Sequence, residues 1–175
     1  PVAQGILAPS TNDTYWSLCY AKIRKCNVVI EKGEEYTGTG SINASLAVAR
    51  FFRAYQYFWL LQRFGGVPVI TKGLTSTSEE LYAPRNSRYE VAKQIFDDLD
   101  YAIQYLPDES AYDGKISKQG AQAFKARTLL FEATWEKYVG TTTDGDGTIS
   151  GAGSDKPVGY PDIQSMLTEA ASLAD

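Results

Sequence analysis

Apolar residues recur at steps of three and four over five stretches of the chain, and polar connections separate them. In the first stretch Trp16, Tyr20, Ile23, Asn27 and Ile30 share one face of a helix. Thr11, Asn12, Asp13 and Thr14 precede it, all side chains that cap first-turn amides, and Gly33 supplies a stop. A second helix is predicted from Asn43 to Phe64. Its stripe is broad (Leu46, Ala47, Phe51, Ala54, Tyr55, Phe58, Leu61), and Gly65-Gly66 ends it. Val67 to Thr71 then reads as extended, because Pro68 pushes the residue before it out of the helical region. The polar stretch Lys72 to Arg85 reads as a connection.

Ser87-Arg88-Tyr89-Glu90 has the capping-box spacing and opens a third helix. Val91, Ile95, Leu99, Ala102 and Leu106 line it, and Pro107 stops it. A fourth opens at Ser117 with Ala121, Phe124, Thr128, Phe131, Trp135 and Tyr138 as its expected stripe. The segment 140–159 shows no apolar period and reads as a long loop. Pro161-Asp162 starts a fifth helix with Ile163, Met166, Leu167, Ala170 and Leu173. That helix is still running where the sequence stops, with its stripe expected to be half exposed. Helices of similar length joined as hairpins predict an all-α helical-repeat fold. Ile95, Leu99, Ala102 and Pro107 keep the second-helix spacing of a tetratricopeptide repeat, although that repeat's first-helix signature is missing. Each repeat needs a neighbour to cover it. The expectation is therefore a fragment of a larger protein, poorly folded on its own.

Composition narrows the chemistry. The chain has no histidine, which excludes Ser-His-Asp and Cys-His catalytic devices and histidine-containing zinc sites built from these residues. Net charge is −4 and no basic cluster exceeds Lys22 to Lys25, so nucleic acid is not an expected partner. No stretch approaches the roughly 18 apolar residues of a membrane-spanning helix. Cys19 and Cys26 lie roughly 10 Å apart along one helix, beyond disulfide reach, and are expected reduced and buried. Asp97 and Asp98 diverge by about 100° on a helix, so they do not form a glycosidase pair. Asp98 or Asp100 is expected to pair with Arg50 or Arg53 in the interior. Asp144-Gly145-Asp146-Gly147 opens like a calcium loop but lacks the glutamate at position twelve, and no metal is expected there. No cofactor is implied.

Three blocks carry a family resemblance. They are Ala49-Arg50-Phe51-Phe52-Arg53-Ala54-Tyr55 continuing to Gly65-Gly66-Val67-Pro68; Pro84-Arg85 with Ser87, Glu90-Val91, Asp98-Leu99-Asp100, Ala102-Ile103 and Leu106-Pro107; and Gly114-Lys115-Ile116-Ser117-Lys118 with Ala121, Ala123, Lys125-Ala126-Arg127 and Leu129-Leu130. In this order they resemble the SusD/RagB nutrient-binding lipoproteins, over roughly residues 14 to 140. The family shows Ala-Thr where Ile116-Ser117 stands here, and its lipidated N-terminal cysteine is absent from this sequence. The resemblance implies that residues 1–175 are the N-terminal helical-repeat region of a surface protein that captures oligosaccharides without catalysis. It implies delivery to a SusC-like TonB-dependent transporter, and outer-membrane, cell-surface location through a lipid anchor outside this segment. It also places part of the glycan site before the helix opening at Trp16.

Of the chain's 12 tyrosines and 3 tryptophans, Trp16, Trp59 and Trp135 sit on or beside apolar stripes and are expected in the core. Tyr15, Tyr36 and Tyr82 lie in or beside connections and are free to meet a ligand, since sugar rings stack their C–H faces on aromatic rings. The candidate ligand-binding residues are Asn12, Asp13, Tyr15, Tyr36 and Tyr82, with no catalytic residue. A helical-repeat adaptor that binds only protein is the alternative, and a glycosidase stands third.

Overall fold

The computed structural model describes residues 12–108, 114–139 and 156–174, and all the regular structure in them is helical. The order is α1 (Thr14–Glu34), α2 (Asn43–Phe64), α3 (Arg88–Tyr105), α4 (Lys118–Val139) and α5 (Ile163–Ala174). A short 3-10 turn, Glu79–Tyr82, interrupts the connection between α2 and α3, where the polar sequence had read as loop. Each helix packs chiefly on the next one in the chain, the neighbour-on-neighbour contact of a helical repeat. The helical-repeat fold read from the sequence holds.

Local signals account for the ends of the helices. Asp13 caps α1 by accepting the Trp16 N–H at 3.0 Å. At α3 both halves of the capping box form: the Ser87 hydroxyl accepts the Glu90 N–H at 3.1 Å, and the Glu90 carboxylate accepts the Ser87 N–H at 2.7 Å. Asp162 accepts the Ser165 N–H at 2.7 Å to open α5. Gly65 closes α2 with φ of 66°, in the left-handed region where a side chain is strained. Gly33 lies where α1 meets α2; a Cβ there would stand 2.3 Å from Leu46 Cδ2.

The core gathers residues of all five helices, and on α1, α2 and α3 Ile23, Ala54, Leu60, Leu61, Val91 and Leu99 are at most 2 % exposed. The arginine–carboxylate expectation holds at Asp98. Arg53 Nε and Nη2 each donate to its two oxygens at 2.7 Å, with both residues buried, and Arg50 adds a 3.4 Å contact. Asp100 instead accepts from Lys125, and exposed Asp97 pairs with Lys93.

Helix α4 departs from its expected stripe. Its fully buried positions are Ala121, Lys125, Thr128, Leu129, Glu132, Ala133 and Glu136, while Phe124, Phe131 and Trp135 are half-buried and Tyr138 is 76 % exposed. The aromatic side chains reach sideways to α2, where Phe58 meets Phe124 at 5.5 Å and Phe131 at 5.3 Å. The face against α3 and α5 buries charges in matched sets. Glu132 takes a bidentate pair from Arg88, and Glu136 accepts from Lys156 at 2.7 Å and the Tyr160 hydroxyl at 2.8 Å. Buried charges persist only when paired. A reading by hydrophobicity alone therefore puts the stripe one position off.

Met166 is fully buried, contrary to the half-exposed stripe expected of α5, whereas Ile163, Leu167 and Leu173 are half-buried as expected. Cys19 is buried but Cys26 only half so, and neither is in a disulfide. Burial pushes both thiols above their ordinary range. Asp144 and Asp146 lie outside the described residues.

Candidate functional site

The start of α1 lies beside the end of α2, and that proximity sets out one cleft. It has a volume of about 320 Å³ and is lined by Tyr15, Cys19, Trp59, Leu60, Gln62, Arg63 and Phe64. The Tyr15 ring is 55 % exposed and Trp59 is 48 % exposed, so two aromatic faces border the opening. Arg63 ties the helices together. Its Nη2 donates to Asp13 Oδ2 at 3.0 Å, and its guanidinium sits 4.5 Å from the centre of the Tyr15 ring. Asp13 is held below its ordinary 3.8, first by the Trp16 N–H and further by Arg63. Asn12 accepts from the Ser17 hydroxyl at 3.3 Å beside them.

Asn12, Asp13 and Tyr15 are thus brought together, and Arg63 and Trp59 join them from α2. Tyr36 is elsewhere, at the far end of α1, roughly 30 Å along the axis from Tyr15 at 1.5 Å per residue. It is half exposed, and its N–H donates to Gly33 O. Tyr82 ends the 3-10 turn and is 90 % exposed. Trp59, expected in the core, is 48 % exposed, and Tyr55, expected on the apolar stripe of α2, is 37 % exposed beside Phe124. The missed signal is that α2 carries apolar residues on more than one face, so Phe52, Tyr55 and Trp59, at spacings of three and four, form a second stripe that faces outward. Trp16 and Trp135 are half-buried, Trp16 against the core and Trp135 with its ring 4.0 Å from the Arg88 guanidinium.

A larger cleft, about 560 Å³, lies on the opposite flank of α1, against the connection after α2. Its wall is the irregular segment from Pro68 to Leu74. Alternate carbonyls point at the helices and are taken by side chains. Tyr20 donates to Pro68 O at 2.7 Å, Asn27 to Ile70 O and Lys72 O at 2.9 Å each, and Arg24 to Leu74 O at 3.2 Å. Arg53 fixes the Asn27 amide by donating to its oxygen at 2.9 Å, and the Tyr57 hydroxyl both accepts from Ile70 N–H and donates to Ile70 O. Burial raises the Tyr20 and Tyr57 hydroxyls well above their ordinary 10. They remain neutral donors.

Chemically the smaller cleft offers ring faces and an ion pair whose carboxylate is already doubly engaged. It has the means to bind a ligand and no positioned acid–base pair to transform one. Among the described residues no group of three or more His, Cys, Asp and Glu gathers as metal ligands. No helix among them is long and apolar enough to cross a membrane.

Comparison with known proteins gives a consistent result. Residues 4–130 match the SusD-like family model described as starch-binding and associating with the outer membrane. A SusD-like protein of Formosa agariphila is 32% identical over 124 residues, 70% of this chain and 25% of its own length. A SusD-like protein from Bacteroides fragilis superposes with a TM-score of 0.64 at 31% identity, covering 71% of this chain and 25% of that one. A laminarin-binding SusD-like protein superposes with a TM-score of 0.62 at 27% identity, covering 79% and 32%. The chain spans about a quarter of the length of the curated relatives it matches.

Proposed function

This chain belongs to the SusD-like family, and from that premise we propose that it is the N-terminal helical-repeat region of a non-catalytic surface protein that captures oligosaccharides. In this reading the captured glycan passes to a TonB-dependent transporter of the SusC type. Attachment to the outer membrane is through a lipid anchor outside residues 1–175. The family's description, starch-binding and associated with the outer membrane, supports the location and the ligand class.

The observation that carries the reading is the pair of exposed rings, Tyr15 and Trp59, set beside Asn12 and the Asp13–Arg63 ion pair. Such rings offer large, rigid contact area at little entropic cost, and pyranose rings are flat enough to lie on them. Tyr36 and Tyr82 enter as outlying contacts for a longer glycan. The experiment is calorimetric titration of the intact protein with neutral oligosaccharides, alongside Tyr15→Ala and Trp59→Ala. Each variant is expected to bind at least tenfold more weakly, about 1.4 kcal/mol or more, with an unchanged melting temperature. Product analysis of the same mixtures should show no cleavage. Unaltered affinity in both variants places the glycan elsewhere.

The protein-adaptor reading draws on one observation, the outward stripe of Phe52, Tyr55 and Trp59, which are between 37 % and 48 % exposed. It predicts no saccharide binding at all, so the same titration separates the two.

A further inference from the structure

We propose that the larger cleft, between α1 and the Pro68–Leu81 connection, is a second ligand site, and that it takes a sugar bearing a carboxylate. The proposal does not depend on the Tyr15–Trp59 site. Tyr15 and Trp16 project about 100° apart on α1, so the two clefts open on different flanks of the helix.

The cleft is built before any ligand arrives. The carbonyls of Pro68, Ile70, Lys72 and Leu74 are all taken by side chains of α1 and α2. Gly73 N–H also donates to the Glu31 carboxylate at 2.8 Å. The wall is therefore anchored at close intervals, which cuts the ordering cost of binding. Its volume, about 560 Å³, lies within the range of small-molecule sites. The floor is aromatic: the Trp16 and Tyr20 rings stand 5.0 Å apart at 45°, and half-exposed Leu81 faces the same space.

Charge identifies the ligand. Two cations line the cleft, Arg24 and Lys72. Lys72 is neutralised by Glu80, which also lines it. Arg24 has no carboxylate partner among the described residues; its Nε is occupied by Leu74 O, which orients the guanidinium and leaves both terminal amines available. A guanidinium held by one edge presents two parallel N–H donors, the arrangement that grips a carboxylate bidentately. Rings below and a fixed guanidinium at the rim suit a hexuronate, whose pyranose ring stacks while its carboxylate meets Arg24.

The test titrates the intact protein with trigalacturonate, with its methyl ester, and with neutral maltotriose. Wild type is expected to bind trigalacturonate at least tenfold more tightly than the ester, a comparison that needs no variant. Arg24→Gln is expected to abolish that preference, Arg24→Lys to restore only part of it, and Lys137→Gln to leave it unchanged as a charge-matched control. Wild-type binding should also shift the Arg24 Nε–H resonance. Equal affinity for acid and ester, or an equal loss in Arg24→Gln and Lys137→Gln, overturns the proposal. So does a failure of trigalacturonate to bind. Maltotriose reads the Tyr15–Trp59 site separately, so the two readings fail independently.

Discussion

At the scale of single residues, the buried arginine–aspartate pair shows how one contact serves both the core and the surface that binds. Asp98 on α3 accepts from Nε and Nη2 along one edge of the Arg53 guanidinium, and Nη1 of the same arginine holds Asn27, which in turn holds the wall at Ile70 and Lys72. Removing either charge leaves the other buried and uncompensated, which costs about 3–5 kcal/mol. Arg53→Ala and Asp98→Ala should each lower the urea unfolding midpoint accordingly. Arg53→Lys should recover only part, since an ammonium cannot reproduce two parallel bonds. An unfolding free energy within about 1 kcal/mol of wild type in both alanine variants would refute the assignment. The pair was legible in the sequence because Asp98 and Arg53 are charges on otherwise apolar stripes, and a buried charge calls for a partner. Trp59 was not legible. Whether an aromatic residue on a helix with several apolar faces points inward depends on where the neighbouring helices sit, and that information lies outside α2.

At the scale of the helix, the caps are the part most dependably encoded in local sequence, because their partners are three residues away. The Ser87–Glu90 box and the starts at Asp13 and Asp162 form as their spacing implies. The face of α4 was misread because its interior charges are matched by Arg88, Lys156, Asp100 and Glu169, distant residues that periodicity does not weigh. The caps also predict a response to acid. Asp13 and Asp162 are both held below 3.8, chiefly by backbone N–H groups. A carboxyl with a lowered folded-state value contributes stability above its ordinary value and loses it as pH falls through the folded one. Below about pH 3.8 the first turns of α1 and α5 should therefore fray. Protection factors at Trp16, Ser17 and Ser165, which remove the intrinsic pH dependence of amide exchange, should fall between pH 5 and pH 2.5. First-turn amides of α2 have no side-chain cap, so they should show no comparable loss. Asp13→Asn keeps a capping oxygen but no titratable group, and should remove the pH dependence at α1 alone. Identical acid response in that variant would show that the cap is not its source.

At the scale of the whole molecule, the helices form a line in which each supports chiefly its neighbour, so stability is close to a sum of local interfaces. The order of the helices, their lengths and the repeat character followed from periodicity and loop signals. What periodicity left unresolved was how firmly the last helix docks, since its partners sit on α3 and α4. Met166 is fully buried and Ala170 nearly so, and Lys125 bridges Asp100 of α3 to Glu169 of α5. The rest of its apolar stripe, Ile163, Leu167 and Leu173, is only half covered. Helix α5, of 12 residues and with one principal neighbour among the described residues, should open more readily than α2, which is packed between α1 and α3. Amides 166–174 should accordingly exchange faster than amides 50–61 under native conditions. Met166→Ala removes the one side chain of α5 that is buried without remainder, and should cost about 2–5 kcal/mol. If the interfaces are local, that loss stays with α4 and α5. Exchange in α1 and α2 should be unchanged, and so should oligosaccharide affinity at Tyr15 and Trp59, two helices away. A uniform rise in exchange from α1 to α5 would mean that the helices unfold as one unit.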